Sequence, residues 1–131
     1  MEETPNPNPN PNPKARRIVK IKSSETWDSH LRQSKAEGTP IVAHFTASWC
    51  IPSVAMNPFI QDLASDLCHI IFLVVDVDDF KEIANKYEVK AMPTFLLMKE
   101  GVVVGKVVGA NPYEMKKRIE TTLQSNTHFV V

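Results

Sequence analysis

Residues 45–53, with the sequence FTASWCIPS, hold the side chains best suited to chemistry. Cys50 follows an apolar run, stands beside Trp49 and lies where the pattern predicts the first turn of a helix. Amide N–H groups exposed at a helix N-terminus favour the anionic form of a thiol. The thiolate is the nucleophile in disulfide exchange. These features predict a reactive Cys50, and a small buried hydrophobic residue is the alternative role.

Ser53 occupies the position at which a two-cysteine C-x-x-C site would carry its second thiol. Residues three apart share a helix face, so the Ser53 hydroxyl can donate to the Cys50 thiolate and stabilise it. A hydroxyl cannot attack a mixed disulfide, and Ser53 therefore cannot release a reduced product. The simpler interpretation, that Ser53 only fills the space of a lost cysteine, stays open.

Around this loop the sequence resembles the thioredoxins, most closely the plant h-type group. Three segments carry the resemblance in the family's order and spacing: FTASWC-x-P at residues 45–52, V-x-AMPTF at 89–95, and Val108-Gly109-Ala110. It extends from about Ile18 to Leu123. The resemblance implies the thioredoxin fold, an α/β architecture with a central mixed five-stranded sheet flanked by four helices.

Four residues depart from the usual family pattern. Ile51 replaces a glycine, Ser53 a cysteine, Val54 a lysine and His44 a buried aspartate. The chain thus resembles the monocysteinic C-x-x-S branch, which implies a monothiol protein disulfide isomerase with weak disulfide reductase activity. We expect no bound cofactor, and glutathione can act as an external thiol that resolves the mixed disulfide.

His44 has two interpretations. In the two-cysteine relatives the buried acid is thought to take a proton from the resolving cysteine, a task that disappears with Ser53. We hypothesise that His44 is a proton acceptor or imidazolium partner that tunes the Cys50 thiol. A hydrogen-bonded histidine of the core, without a catalytic role, is the alternative.

The resemblance also implies a substrate-binding surface around Cys50. It implies a cis Met92–Pro93 peptide bond facing Cys50, with the backbone of residue 92 pairing with an extended substrate segment. An apolar rim would complete this surface, formed by Trp49, Ile51, Pro52, Gly109 and Ala110. A redox-silent binding module that holds partners on the same surface is the alternative function.

The length of 131 residues predicts one domain. We assign residues 1–17, which include the repeat PNPNPNPNP at 5–13, to a disordered Asn-Pro-rich arm. Residues 18–124 form the thioredoxin-like domain, and 125–131 a C-terminal tail.

Acidic and basic residues number 15 each, so the charge balance indicates no nucleic-acid or membrane partner. From the resemblance we expect a monomer that acts on disulfide-containing or thiol proteins. The N-terminus shows no secretory signal, and we expect a cytoplasmic protein. No metal-ligand spacing links the histidines and cysteines. Cys68 lies roughly 27 Å along the helix from Cys50, beyond the ~7 Å limit for a disulfide, so it cannot resolve Cys50 within one monomer.

Hydrophobic periodicity and turn residues predict the element order β-α-β-α-β-α-β-β-α. Pro58 should kink the helix that begins near Cys50. We expect Ser23 or Ser24 and Asn111 to cap helices and Gly38 to end one. A capping box is predicted at residues 79–82.

Overall fold

A computed structural model describes residues 18–124, so the predicted N-terminal arm and C-terminal tail lie outside the described residues. Five strands form one sheet in the order β1-β3-β2-β4-β5. The strands are β1 (Ile18–Lys20), β2 (Ile41–Thr46), β3 (Ile71–Asp76), β4 (Thr94–Lys99) and β5 (Val102–Val108). The helices are α1 (Ser24–Glu37), α2 (Ile51–Ala55), α3 (Asn57–Asp66), α4 (Lys81–Lys86) and α5 (Pro112–Ile119), the last followed by a π-helical turn at Glu120–Gln124.

Strand β2 lies at the centre of the sheet and is buried on both faces. It pairs in parallel with β3 and antiparallel with β4, and β5 forms a hairpin with β4. Its first five residues are all buried, as its continuous hydrophobicity predicts. Two apolar clusters cover the two faces of the sheet. The predicted mixed five-stranded sheet flanked by four helices is therefore confirmed, with α2 and α3 as the two halves of one kinked helix.

The kink separates α2 from α3 at Met56, two residues before Pro58. A proline within a helix has no N–H to donate to the carbonyl four residues earlier, which here belongs to Val54. Just before the proline, the Met56 N–H donates to the carbonyl of Ser53, three residues earlier, at 3.1 Å. A bond over three residues makes a tighter turn than the four-residue bond of an α-helix. The proline thus confines the segment after Cys50 to a short helix that carries Ser53 on its inner side.

The helix caps follow the sequence with one exception. The Ser23 hydroxyl accepts from the Thr26 amide, the Asn111 side chain accepts from the Glu114 amide, and Gly38 ends α1 with φ of +74°. The capping box predicted at residues 79–82 is wrong, because α4 begins at Lys81 and its N-cap residue makes no side-chain bond. The Asp76 carboxylate instead accepts from the amides of the next two aspartates, which forms a turn before the helix can start.

Within residues 18–124, no helix is long and apolar enough to cross a membrane.

The turn between β4 and β5 yields a test of stability. Lys99 pairs with Val102, which leaves a two-residue turn of Glu100 and Gly101 with φ of +53° and +80°. Two positive φ values characterise the type I′ hairpin turn, which favours asparagine at the first position. We expect Glu100→Asn to raise the free energy of unfolding by about 1 kcal/mol in urea titrations. Glu100→Val, a β-branched residue at the same φ, should lower it, and equal stabilities for the two variants would contradict the argument.

Candidate functional site

Strand β2 leads directly into the loop that carries Cys50. The loop lies at the carboxyl ends of the parallel strands β2 and β3, the edge of an open α/β sheet at which ligands commonly bind. The Cys50 amide donates to the Ala47 carbonyl at 3.0 Å, and Cys50 is the N-cap residue of α2. The strand and the helix together hold Cys50 half-buried at the surface.

The segment between α4 and β4 lies opposite Cys50. The Cys50 Sγ donates to the Met92 carbonyl at 3.6 Å, and the Met92–Pro93 peptide bond is cis, as expected. Two hydrogen bonds fix this segment: the Thr94 hydroxyl donates to the Ala91 carbonyl at 2.6 Å, and the Gly109 amide donates to the Pro93 carbonyl at 2.9 Å. The loop of Cys50 thus contacts the cis-proline segment, and Gly109 contacts that segment in turn.

The side chains expected to form an apolar rim differ in exposure. Trp49 is 63% exposed and Ile51 78% exposed, both large apolar residues. Pro52 and Ala110 are exposed too, Met92 and Gly109 are half-buried, and Pro93 is buried. Among the expected rim residues, the large exposed apolar side chains are therefore the two that flank Cys50 in the sequence, whereas Pro93 is buried.

Beneath Cys50 lies a buried polar network. The Ser53 hydroxyl is fully buried and lies 3.1 Å from the His44 Nε2, and it also makes a short hydrogen bond with the Thr46 hydroxyl. His44 and Ser53, two of the four departures from the family pattern, are thus in direct contact. The expected hydrogen bond from Ser53 to Cys50 is not among the bonds of the described residues, because the Ser53 Oγ points inward to its two partners.

Burial determines the charge of His44. The side chain is 1% exposed and its ring stacks on Phe95 with centroids 4.6 Å apart. Desolvation lowers the pKa of His44 from 6.5 to about 4, so the imidazole is neutral at neutral pH. An imidazolium partner for the thiolate, one of the two roles hypothesised, does not fit this environment. The hydrogen bond of His44 runs to Ser53, and His44 could reach Cys50 only through that residue.

Two residues of the site, Asp78 and Thr46, were not predicted from the sequence. The Asp78 carboxylate accepts from the Trp49 indole N–H at 2.8 Å and anchors the exposed ring. Asp78 follows β3, and Thr46 ends β2. Since β2 and β3 are parallel neighbours, their carboxyl ends meet at one edge. Polar residues at those two ends were the signal that could have identified both.

Cys68 is exposed and free, at the end of α3 away from the loop. Among residues 18–124, no group of three or more acidic, histidine or cysteine side chains is placed to hold a metal ion.

The mixed sheet, with a half-buried thiol facing a cis-proline segment, defines the thioredoxin-like class of thiol-disulfide oxidoreductases. The chain belongs to the thioredoxin family, whose family model matches residues 18–122.

Its relatives include plant proteins whose name contains the pattern C-x-x-S, which this chain has at residues 50–53. The "Thioredoxin-like protein CXXS1" of Arabidopsis thaliana is 54% identical over 110 residues, 84% of this chain and 93% of that protein. The protein of the same name from Oryza sativa is 48% identical over 109 residues, 83% of this chain and 82% of that protein. A crystal structure of thioredoxin h from poplar superposes with a TM-score of 0.79 at 35% identity and covers 83% of this chain and 98% of that one.

The buried imidazole makes stability depend on pH. The folded state resists protonation of His44 until about pH 4, whereas the unfolded chain binds the proton near pH 6.5. As the pH falls through this window, proton binding stabilises the unfolded state relative to the folded state. The free energy of unfolding of the wild type should therefore fall by about 3 kcal/mol relative to that of a variant without the ring. We expect the stability difference between wild type and His44→Asn to shrink from neutral pH to pH 4 in urea titrations. A difference independent of pH would contradict the buried neutral imidazole.

Proposed function

We propose that the protein catalyses thiol-disulfide exchange with protein substrates through Cys50 alone and favours disulfide isomerisation over reduction. The observation that supports this most directly is the contrast between two positions. Cys50 lies at the surface, beside exposed Trp49 and Ile51, and faces the Met92 carbonyl. Ser53, in the place of a second thiol, is fully buried and bonded to His44 and Thr46.

In the first step the Cys50 thiolate attacks one sulfur of a substrate disulfide. The substrate S–S bond breaks, a bond between Cys50 Sγ and that sulfur forms, and the other substrate sulfur leaves as a thiolate. The proton of Cys50 is lost to solvent before the attack, together with its hydrogen bond to Met92. Because Cys50 is half-buried and its rim is exposed, a protein strand can approach it without rearrangement of the core.

The mixed disulfide must then be resolved by a thiol from outside this site. If another cysteine of the substrate attacks, a new substrate disulfide forms, Cys50 leaves as a thiolate, and the net reaction is isomerisation without a change in oxidation state. If glutathione attacks the Cys50 sulfur, the substrate leaves as a thiolate and Cys50 is left in a mixed disulfide with glutathione; a second glutathione then displaces Cys50 as a thiolate and forms glutathione disulfide, so that the substrate is reduced at the expense of two glutathiones. The Ser53 hydroxyl performs neither step, because a hydroxyl cannot attack the mixed disulfide and form the new S–S bond that a resolving thiol forms.

Isomerisation is favoured because the substrate's own thiol is held close to the mixed disulfide. A tethered group has an effective concentration of the order of mM, whereas a free thiol must diffuse to a site flanked by the bound substrate. Without a second thiol at position 53, Cys50 cannot form an internal disulfide. That internal disulfide is the form that a reductase would have to reduce in a two-thiol cycle.

The substrate segment would bind across the Met92 backbone. Its amide N–H groups can pair with the carbonyl that Cys50 now contacts, in the manner of an added β-strand. Trp49, held by Asp78, and Ile51 would contact the substrate's apolar side chains. The hydrogen bonds of Thr94 and Gly109 keep this edge in place before binding.

A redox-silent binding module is the second candidate function, and the exposed rim favours it as well. Such a protein would use the same apolar surface and backbone edge but would not need Cys50 to react. The two functions therefore differ in one expected result: loss of the Cys50 thiol abolishes activity in the first and leaves partner binding intact in the second.

Replacement of the nucleophile separates the two candidates. We expect wild type to restore native pairing in a substrate with scrambled disulfides and Cys50→Ser to restore none above the uncatalysed rate, because no other site thiol can form the mixed disulfide. Cys68→Ser is the matched control and should keep the wild-type rate. Equal refolding by wild type and Cys50→Ser would establish the binding module instead.

Restoring a second thiol should change the reaction. Ser53→Cys places a thiol three residues after Cys50, so we expect it to gain insulin reduction with a thioredoxin reductase, an assay in which wild type should show little activity. Ser34→Cys adds a thiol at another buried serine and should gain nothing. If Ser53→Cys were as inactive as wild type, the lost cysteine would not be the cause of weak reduction.

A further inference from the structure

Val54 is one of the four departures from the family pattern, and the proposed reaction does not yet use it. This valine stands in the place of a lysine, and its side chain is 43% exposed. Ile51, in the place of a glycine, lies three residues earlier and therefore on the same side of the short helix α2. The two residues give the helix that begins beside Cys50 an apolar side.

The Val54 side chain connects this side of the helix to a cavity. The Val54 amide donates to the Cys50 carbonyl at 3.0 Å. This bond sets Val54 one helical turn from Cys50, roughly 6 Å along the helix axis. The Val54 side chain lines a cavity of about 350 Å³, and Ser48, two residues before Cys50, lines the same cavity. The segment that holds Cys50 thus borders this cavity at both of its ends.

The cavity is lined by apolar, polar and charged side chains. Strands β1 and β3 and helices α2 and α3 supply the apolar lining: Ile18, Val54, Ile60 and Val74. The uncharged polar lining consists of Thr46, Ser48, Asn57 and Gln61. Among residues 18–124, the charged residues of the lining are Lys20 and Asp76, which have opposite signs. Because these two charges offset each other and a buried charge is costly without a partner, the lining favours an uncharged occupant.

The volume of the cavity fits a large side chain. An apolar cavity of about 150 Å³ is enough to hold benzene, and pockets for whole small-molecule ligands begin at about 300 Å³. A cavity of about 350 Å³ can therefore admit a branched aliphatic or an aromatic side chain.

We propose that Val54 and the cavity it lines form a subsite for a large apolar side chain of the protein substrate, close in sequence to the cysteine that Cys50 attacks. This proposal rests on the proposed function and names its substrate class: polypeptides in which an apolar residue near the disulfide is exposed. Large apolar residues are mostly buried in native proteins, so this class consists of incompletely folded proteins. Such chains are the substrates in which wrong disulfides need isomerisation.

The reach of an extended chain sets the position of that apolar residue. A β-strand advances about 3.3 Å per residue, and alternate side chains point to the same side. The distance of roughly 6 Å between Cys50 and Val54 along the helix therefore corresponds to two residues of an extended substrate. The substrate residue that contacts Val54 should be two positions from the substrate cysteine.

The rate of mixed-disulfide formation tests this specificity. Peptides of one length carry a central cysteine in a disulfide with thionitrobenzoate, and have phenylalanine, serine, lysine or glutamate two positions away on both sides. The Cys50 thiolate attacks the peptide sulfur, the bond between the peptide sulfur and thionitrobenzoate breaks, and thionitrobenzoate leaves as a coloured thiolate. All proteins are the full chain with Cys68→Ser, so Cys50 is the one thiol that can react, since the sequence has two cysteines.

The preference is expressed as the ratio of the rate with the phenylalanine peptide to the rate with the serine peptide, because a change in the reactivity of the thiol cancels in this ratio. With valine at position 54 the ratio should be about ten, from partial burial of the aromatic side chain, and the charged peptides should react more slowly than the phenylalanine peptide. Val54→Thr keeps the shape but adds a hydroxyl, and should lower the ratio about threefold. Val54→Lys should bring it close to one.

Val102→Lys is the matched control. Val102 is a valine that is 61% exposed, and it pairs with Lys99 at the turn end of the β4–β5 hairpin, whereas β4 begins next to Pro93 at the other end. This variant should keep the wild-type ratio. The proposal is overturned by a ratio near one in the protein with Val54, by an unchanged ratio in Val54→Lys, by an equal loss in Val102→Lys, or by a charged peptide that reacts faster than the phenylalanine peptide.

A second measurement locates the bound side chain. Without an added thiol, the mixed disulfide of Cys50 with each peptide can be isolated, because Ser53 cannot resolve it. In NMR spectra of these complexes, the methyl resonances of Ile18 and Ile60 should differ between the phenylalanine and the serine peptide, because an aromatic ring inside the cavity shifts the methyl groups that line it. Ile83 belongs to the apolar cluster on the other face of the sheet, and its methyl resonances should not differ. Identical Ile18 and Ile60 resonances in the two complexes would overturn the assignment of the cavity.

The subsite and the proposed function can fail separately. The peptide rates require that Cys50 forms a mixed disulfide, and do not require isomerisation. If the ratio is near one while wild type restores native disulfides and Cys50→Ser does not, the subsite is wrong and the proposed function stands. If the ratio is about ten while wild type and Cys50→Ser refold the substrate equally, the proposed function is wrong and the subsite stands.

Discussion

The hydrogen bond between His44 and Ser53 allows polar groups to lie inside the centre of this fold. His44 belongs to a strand that is buried on both faces, where an unpaired polar group costs about 1–3 kcal/mol. Ser53 projects inward from the helix that starts at Cys50, and each residue supplies the other's partner. The two departures from the family pattern are therefore one physical unit: a change at either position alters the hydrogen bonding of the other.

Above this buried contact, the surface retains what disulfide exchange with a protein requires. The exposed Trp49 and Ile51 flank the thiol in the sequence, and the Met92 carbonyl, 42 residues further along the chain, lies opposite it. The interior beneath Cys50 is the part that differs from a two-thiol site. The proposed function rests on this division between a surface with one thiol and an interior with a hydroxyl in the place of the second.

The kink at Pro58 links the fold to this chemistry. It ends α2 after five residues and turns α3 along the sheet, so the short helix that bears Ser53 can lie over the end of β2. One proline thus helps to keep Ser53 on the inner side of the short helix, whereas Cys68, which follows α3, is exposed.

From the sequence, the order of strands and helices, most helix caps, the kink, the cis Met92–Pro93 bond and the position of Cys50 could all be predicted, because each is encoded by local pattern or by motifs in a fixed order. The capping box predicted at 79–82 was wrong because the Asp76 carboxylate accepts from the backbone amides of Asp78 and Asp79. The Asp79 amide is the group that a capping box there would have used. Only the tertiary structure paired His44 with Ser53, added Thr46 and joined Asp78 to Trp49. These contacts join residues 7 to 29 positions apart, and no local pattern specifies which hydroxyl, ring or carboxylate meets which, since that depends on how the strands and the kinked helix pack together.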